Sequence, residues 1–210
     1  MGDAKRRKAQ NAAQRDSLVS AVAQVSGAVR RLATAASGNF GGDCYLHAAL
    51  GQVLLADLGF QFTPKVGFAA WRVGPGDGDV LAHTAAVQGY LPAGAEGFPF
   101  HAWLESGDWL VDLTTYQFEK KCRELDAADG GRTQLNWRPD YLLLRRKDLK
   151  SYKDVAQAPD GPLAYYEERP ELAATLDKEA VLDPSDVAAA RLLLNNPELS
   201  VRGPNDFEAA

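Results

Sequence analysis

A chain of 210 residues, 46% hydrophobic and with a formal net charge of −5, is long enough to bury a substantial core and reads as one globular unit. Its longest apolar stretches, LGQVLLADLGF and DYLLL, are too short or too broken by charge to cross a bilayer, so no membrane span is expected. Nor is a nucleic-acid partner, because no basic face interleaved with aromatics occurs. Two cysteines do not make a disulfide framework, and the start MGDAKRRKAQNAAQRDS lacks the apolar stretch of a secretory signal. Both thiols are expected free and the protein cytoplasmic, with Lys5, Arg6, Arg7 and Lys8 a solvated tail.

Three regions follow in chain order: an N-terminal helical segment (1–36), a core (37–150) and a C-terminal strap with a short helix (151–210). Leu18, Val22, Val25, Val29 and Leu32 recur at helical spacing and predict one or two amphipathic helices between Gln10 and Ala36. The Gly-rich loop SGNFGGD comes next, with Asp43 placed to cap a buried helix of about four turns over CYLHAALGQVLLADLGF. FTPKVGFAAWRV and VLAHTAAVQGYL then read as strands around the turn formers of GPGDGD. HAWLESGDWLVDL reads as a tight hairpin, and PDYLLLRR as a further strand beyond the charged connection Glu119–Arg132. After Ser151 the prolines and acidic residues of PDGPLAYYEERPEL suggest a strap anchored by Tyr165 and Tyr166, before a short helix near Asp183 or Ser185. Helices followed by strands, without βαβ alternation, predict an α+β fold with an antiparallel sheet.

Two features carry chemistry. Cys44 opens a buried helix directly after Gly41 and Gly42, where free backbone N–H groups and the positive end of the helix dipole favour a thiolate and glycines admit a substrate carbonyl. The hairpin supplies the second feature. With its turn at Ser106-Gly107, His101 and Asp112 are direct cross-strand neighbours on one face, the arrangement in which a carboxylate orients and charges an imidazole. On the substrate side the candidates are Asn39 and the Cys44 backbone N–H as oxyanion donors, Gly41, Gly42, His47 one turn beyond the cysteine, and Trp103 as a cleft wall. His83 reads as structural. Cys-x-x-His alone is too short to specify zinc, and no metal is expected.

The segment GGDCYLHAALGQVLLADLGF resembles the nucleophile helix of arylamine N-acetyltransferases. HAWLESGDWLVDLTTYQ is similar to the His–Asp portion of transglutaminase-like proteins, with Leu-Thr after the aspartate in place of Pro-Thr. Both families share a papain-like core with Cys, His and Asp in that chain order. The resemblance, which covers about a third of the chain, implies a papain-like (transglutaminase-like) fold whose central nucleophile helix packs on an antiparallel sheet. It also implies Cys44 as nucleophile, His101 as general base and Asp112 as orienting acid. Phe40 stands where the acetyltransferases carry arginine and Ala48 where they carry a polar residue, so no acetyl-CoA or other cofactor is carried over. The expectation is a cysteine hydrolase or acyltransferase acting on a peptide, protein or small amide through an acyl-enzyme. The alternative is a non-catalytic module of the same fold that binds a peptide or protein in the cleft.

Overall fold

The structure, a computed structural model, describes residues 2–38, 41–84, 99–173 and 181–207. Helix α1 (Gly2–Ala36) starts well before Gln10, because Ala, Lys, Arg and Gln are strong helix formers from the N-terminus onward. The basic stretch expected as a tail is thus part of its first turns, with Lys5, Arg6 and Lys8 exposed. Its second half buries Leu18, Val22, Val25, Ala28 and Val29, one stripe at helical spacing. Helix α2 (Cys44–Asp57) matches the expected buried helix, with Leu50, Leu54 and Leu55 in the core.

Six strands form one antiparallel sheet: β1 (Thr63–Arg72), β2 (Val80–His83), β3 (His101–Ser106), β4 (Trp109–Asp112), β5 (Leu142–Arg145) and β6 (Leu163–Glu168). The order is β2-β1-β3-β4-β5, with β6 also paired to β1. Helices and antiparallel sheet make the fold α+β, as the order of elements predicts. Of the strand expected over VLAHTAAVQGYL, Val80–His83 is present, and residues 85–98 lie outside the described ones.

Strands β2 and β6 both pair with Ala69–Arg72, so they take opposite edges of β1, and β6 follows β3 along the same edge. The two meet at Gly67, which pairs with both His101 and Glu168. A Cβ on Gly67 would stand 1.9 Å from the Glu167 carbonyl oxygen, so only glycine lets β6 close on β1 there.

Alternation along the strands divides the core. Val66, Ala102, Leu104 and Val111 point one way and join α1 and α2. Ala69, Trp71, Leu81, Leu142 and Ala164 point the other way, against Phe118 and Cys122 of helix α3 (Phe118–Asp129). That helix takes up most of the charged connection Glu119–Arg132, where no element was expected. Phe118, Cys122 and Leu125 form its apolar stripe, and Gly130 in the left-handed region ends it.

Past α4 (Tyr152–Gln157), opened by a Ser151–Asp154 capping box, the segment around Tyr165 and Tyr166 expected to lie over the core as a strap is built into the sheet. It is strand β6, because Tyr165 and Tyr166 alternate and find an open edge of β1. The short helix expected near Asp183 is α5 (Pro184–Asn195), capped by Asp183, and a single turn, α6 (Pro204–Phe207), follows. Among the described residues no helix is long and apolar enough to cross a membrane.

Candidate functional site

The side chains of His83, Trp71, His101, Trp103, Asp112 and Tyr166 share one face of the sheet, as the pairings Ala69–His83, Ala69–Tyr166, Gly67–His101 and Asp112–Leu142 require. At its centre His101 Nε2 lies 2.8 Å from Asp112 Oδ2, with both side chains wholly buried. The contact exists, but its register differs from the expected one. Leu104 pairs with Val111, Glu105 with Leu110 and Ser106 with Trp109, so the turn falls at Gly107-Asp108, one position later. Continuing that register sets Asp112 opposite Trp103. Side chains repeat every second residue, so the slip keeps Asp112 on the His101 face, and the pair meets diagonally.

The Asp112 carboxylate is saturated. Oδ2 also accepts from the Tyr166 hydroxyl at 2.7 Å, and Oδ1 accepts from the Thr114 backbone N–H at 2.9 Å and the Thr114 hydroxyl at 2.8 Å. Tyr166 is held in turn by Trp71 Nε1 at 2.8 Å. Burial alone would keep the carboxyl protonated, but the His101 charge and these donors hold it well below the usual carboxylate range. Burial likewise opposes a charged His101, yet the Asp112 charge, the hydrogen bond to it and the Cys44 sulfur together raise its pKa to about 9. Rings surround the imidazole: Trp71 meets it edge-on at 4.8 Å and His83 stacks on it at 5.5 Å. Nδ1 is buried and has no hydrogen-bond partner of good geometry, and the Cys44 thiol interacts with the same ring. Such loose alignment is common before substrate arrives.

Cys44 is the first residue of α2 and 6% exposed. Asp43 occupies the N-cap position, but its side chain makes no cap. Oδ1 accepts instead from Gln117 Nε2 at 3.1 Å, and the N–H groups of the first turn are left free of a capping side chain. Gly41, at φ +100, makes the approach to this end, in a conformation that a side chain would strain. Asn39 lies outside the described residues.

Two expected substrate residues are buried and engaged by other groups. His47 is 1% exposed, with Nδ1 donating to the Asp43 carbonyl at 2.9 Å and Nε2 accepting from the Tyr116 hydroxyl at 2.8 Å. Both ring nitrogens are used, and burial lowers its pKa, so it anchors the start of α2 and does not join His101. Trp103, 1% exposed, lies beside His101 at 6.4 Å, because strand alternation puts it on the same face two residues along, and it donates to Glu105 at 2.8 Å. Among the described residues no group of three or more His, Cys, Asp or Glu is arranged to hold a metal ion.

Sequence reasoning missed Tyr166, Thr114 and Lys121. Only Thr114 carried a local signal, a hydroxyl two residues after the aspartate. Lys121 is 8% exposed on α3, with Nζ 3.1 Å from His83 Nε2.

No family model matches this chain, and no curated protein matches it. A solved crystal structure known only as a structural-genomics target, with no functional name, is similar over 87% of this chain and 82% of its own, with 18% identity and a TM-score of 0.55. At that identity the likeness shows a shared fold and nothing about activity.

Proposed function

We propose that this protein is a cysteine hydrolase or acyltransferase of papain-like, transglutaminase-like design, with Cys44 as nucleophile, His101 as acid and base, and Asp112 as the group that orients and charges the imidazole. The observation that carries the reading is the buried His101–Asp112 pair, whose second ring nitrogen makes no hydrogen bond of good geometry while the Cys44 thiol interacts with the same ring. A carboxylate with every lone pair engaged is a rigid, preorganised partner, as a catalytic imidazole requires.

In this reading Cys44 Sγ attacks a carbonyl and its proton rests on His101 Nδ1, while Nε2 stays bound to Asp112. The backbone N–H groups at the start of α2 receive the developing oxyanion. His101 then protonates the leaving amine, the acyl group remains on sulfur as a thioester, and water or a second amine releases it. Peptides, proteins and small amides all present the necessary carbonyl.

Brief treatment with iodoacetamide near pH 7, followed by peptide mapping, tests the reading. Cys44 should label faster than Cys122, whose thiol is pushed up to about 11 by burial and by Asp126, Asp79 and Glu119. Equal rates, or preference for Cys122, would remove Cys44 as nucleophile.

A further inference from the structure

Next to the Cys44, His101 and Asp112 cluster is a cavity of about 190 Å³ whose lining includes Gly41, His83, Pro99, Lys121 and Glu124. Three of its lining residues adjoin the site. Gly41 leads into the Cys44 helix, Pro99 precedes the His101 strand, and the His83 ring stacks on His101 at an interplanar angle of 22°. Leu81, Ala82 and Leu125 supply apolar wall.

The unusual member is Lys121. Helix α3 is rich in charge, yet this ammonium is turned inward and 8% exposed, and among the described residues it forms no ion pair. Among the described residues its hydrogen-bond partner is His83 Nε2 at 3.1 Å. Burial, together with Lys121 and His101, holds His83 well below its ordinary pKa, so that ring is a neutral acceptor. Glu124, the carboxylate on the cavity wall, is engaged by Lys120 at 2.9 Å. A buried ammonium has three N–H donors and is costly without a counter-charge. Here the described residues supply no counter-charge, and the lysine lines a small cavity beside the proposed nucleophile.

We propose that Lys121 is the anion-recognition residue of the acyl subsite, so that the preferred acyl donor carries a carboxylate a few bonds from the carbonyl that Cys44 attacks. This inference rests on the reading of Cys44 as nucleophile. The cavity holds only a short chain, and its apolar wall suits a few methylenes between the two carbonyl groups. Amides of short dicarboxylic acids are the substrate class that fits.

Two activated esters of similar length test it with the full chain: p-nitrophenyl hemisuccinate, which has the distal carboxylate, and p-nitrophenyl butyrate, which has a methyl there. Sγ forms the new bond to the acyl carbon, the bond to p-nitrophenolate breaks, and the thiol proton passes to His101. Water then splits the thioester and restores the thiol. A charge-assisted hydrogen bond to the distal carboxylate should favour the hemisuccinate by about ten-fold or more in kcat/KM. Lys121→Met should reduce that ratio by about as much, while Lys121→Arg, which keeps the charge, retains it. A wild-type ratio at or below one, or a ratio that Lys121→Met leaves unchanged, overturns the subsite alone. If p-nitrophenolate release from both esters survives Cys44→Ala, the nucleophile reading falls, and the subsite with it.

Discussion

His101 and His47 are equally buried imidazoles, and each has a carboxylate nearby, yet they are driven in opposite directions. His47 bonds a backbone carbonyl and a tyrosine hydroxyl, with the Asp43 carboxylate at 3.5 Å, so burial prevails and the ring stays neutral. His101 bonds the Asp112 carboxylate itself at 2.8 Å, and that carboxylate is fixed by Tyr166 and Thr114. Burial does not decide a histidine's charge. The presence of a preorganised, direct counter-charge does, and the imidazole that has one is also the imidazole with a ring nitrogen left for chemistry.

The harshest way to break the contrast is to remove the support behind Asp112. A chain ending near Ser151 loses β6 and Tyr166, and with them the second edge of β1, so it should lose its cooperative transition in urea unfolding. A strap merely lying over the core would leave that transition unchanged.

Asp112→Asn is milder for the fold and severe for the site. It withdraws the charge that protonates His101 while keeping the shape, and should slow thioester formation at Cys44 by about 100-fold or more. The pH dependence of stability sharpens this point. His101 is raised from 6.5 to about 9, so its contribution is fully present below pH 6.5 and lost as pH rises through about 9. Asp112 is lowered from 3.8, so its contribution is present above that value and lost as pH falls toward its depressed pKa. The stability gap between wild type and Asp112→Asn should therefore be widest between pH 4 and 6.5 and shrink by pH 9.5, as measured by urea titration at each pH.

On the other side of the comparison, Tyr116→Phe leaves His47 Nε2 buried without its donor. It should cost about 1–3 kcal/mol of stability while leaving the iodoacetamide rate at Cys44 nearly unchanged. A large loss of labelling would join His47 to the site. The smallest effect belongs to Asp108→Asn, at the exposed turn, where only a 3.8 Å contact with Arg145 is weakened. No change in labelling or unfolding midpoint is expected.

Periodicity made much of this legible from the chain. The position of Cys44 at the start of a buried helix follows from local signals, and so do α1, β1 and the hairpin. The His101–Asp112 contact survived a misplaced turn for a definite reason. The error shifted the partner strand by two residues, one full side-chain period, and so kept both groups on one face. A slip of one residue would have separated them. Helix α3 was hidden because charged residues outnumber the apolar positions that mark its buried stripe.

Local sequence therefore determined which residues could stand at a helix end or share a strand face, because those relations depend on periods of 3.6 and 2 residues alone. Tertiary structure decided the rest. Tyr166 reaches Asp112 from 54 positions away only because β6 finds the free edge of β1. Lys121 is buried because α3 rolls that side toward His83, 38 positions distant. His47, one turn from Cys44, was drawn away by Asp43 and Tyr116. Each of these outcomes depends on which surfaces meet when the chain closes. That choice is made by burial and hydrogen bonding across the whole core, and no window of neighbouring residues contains it.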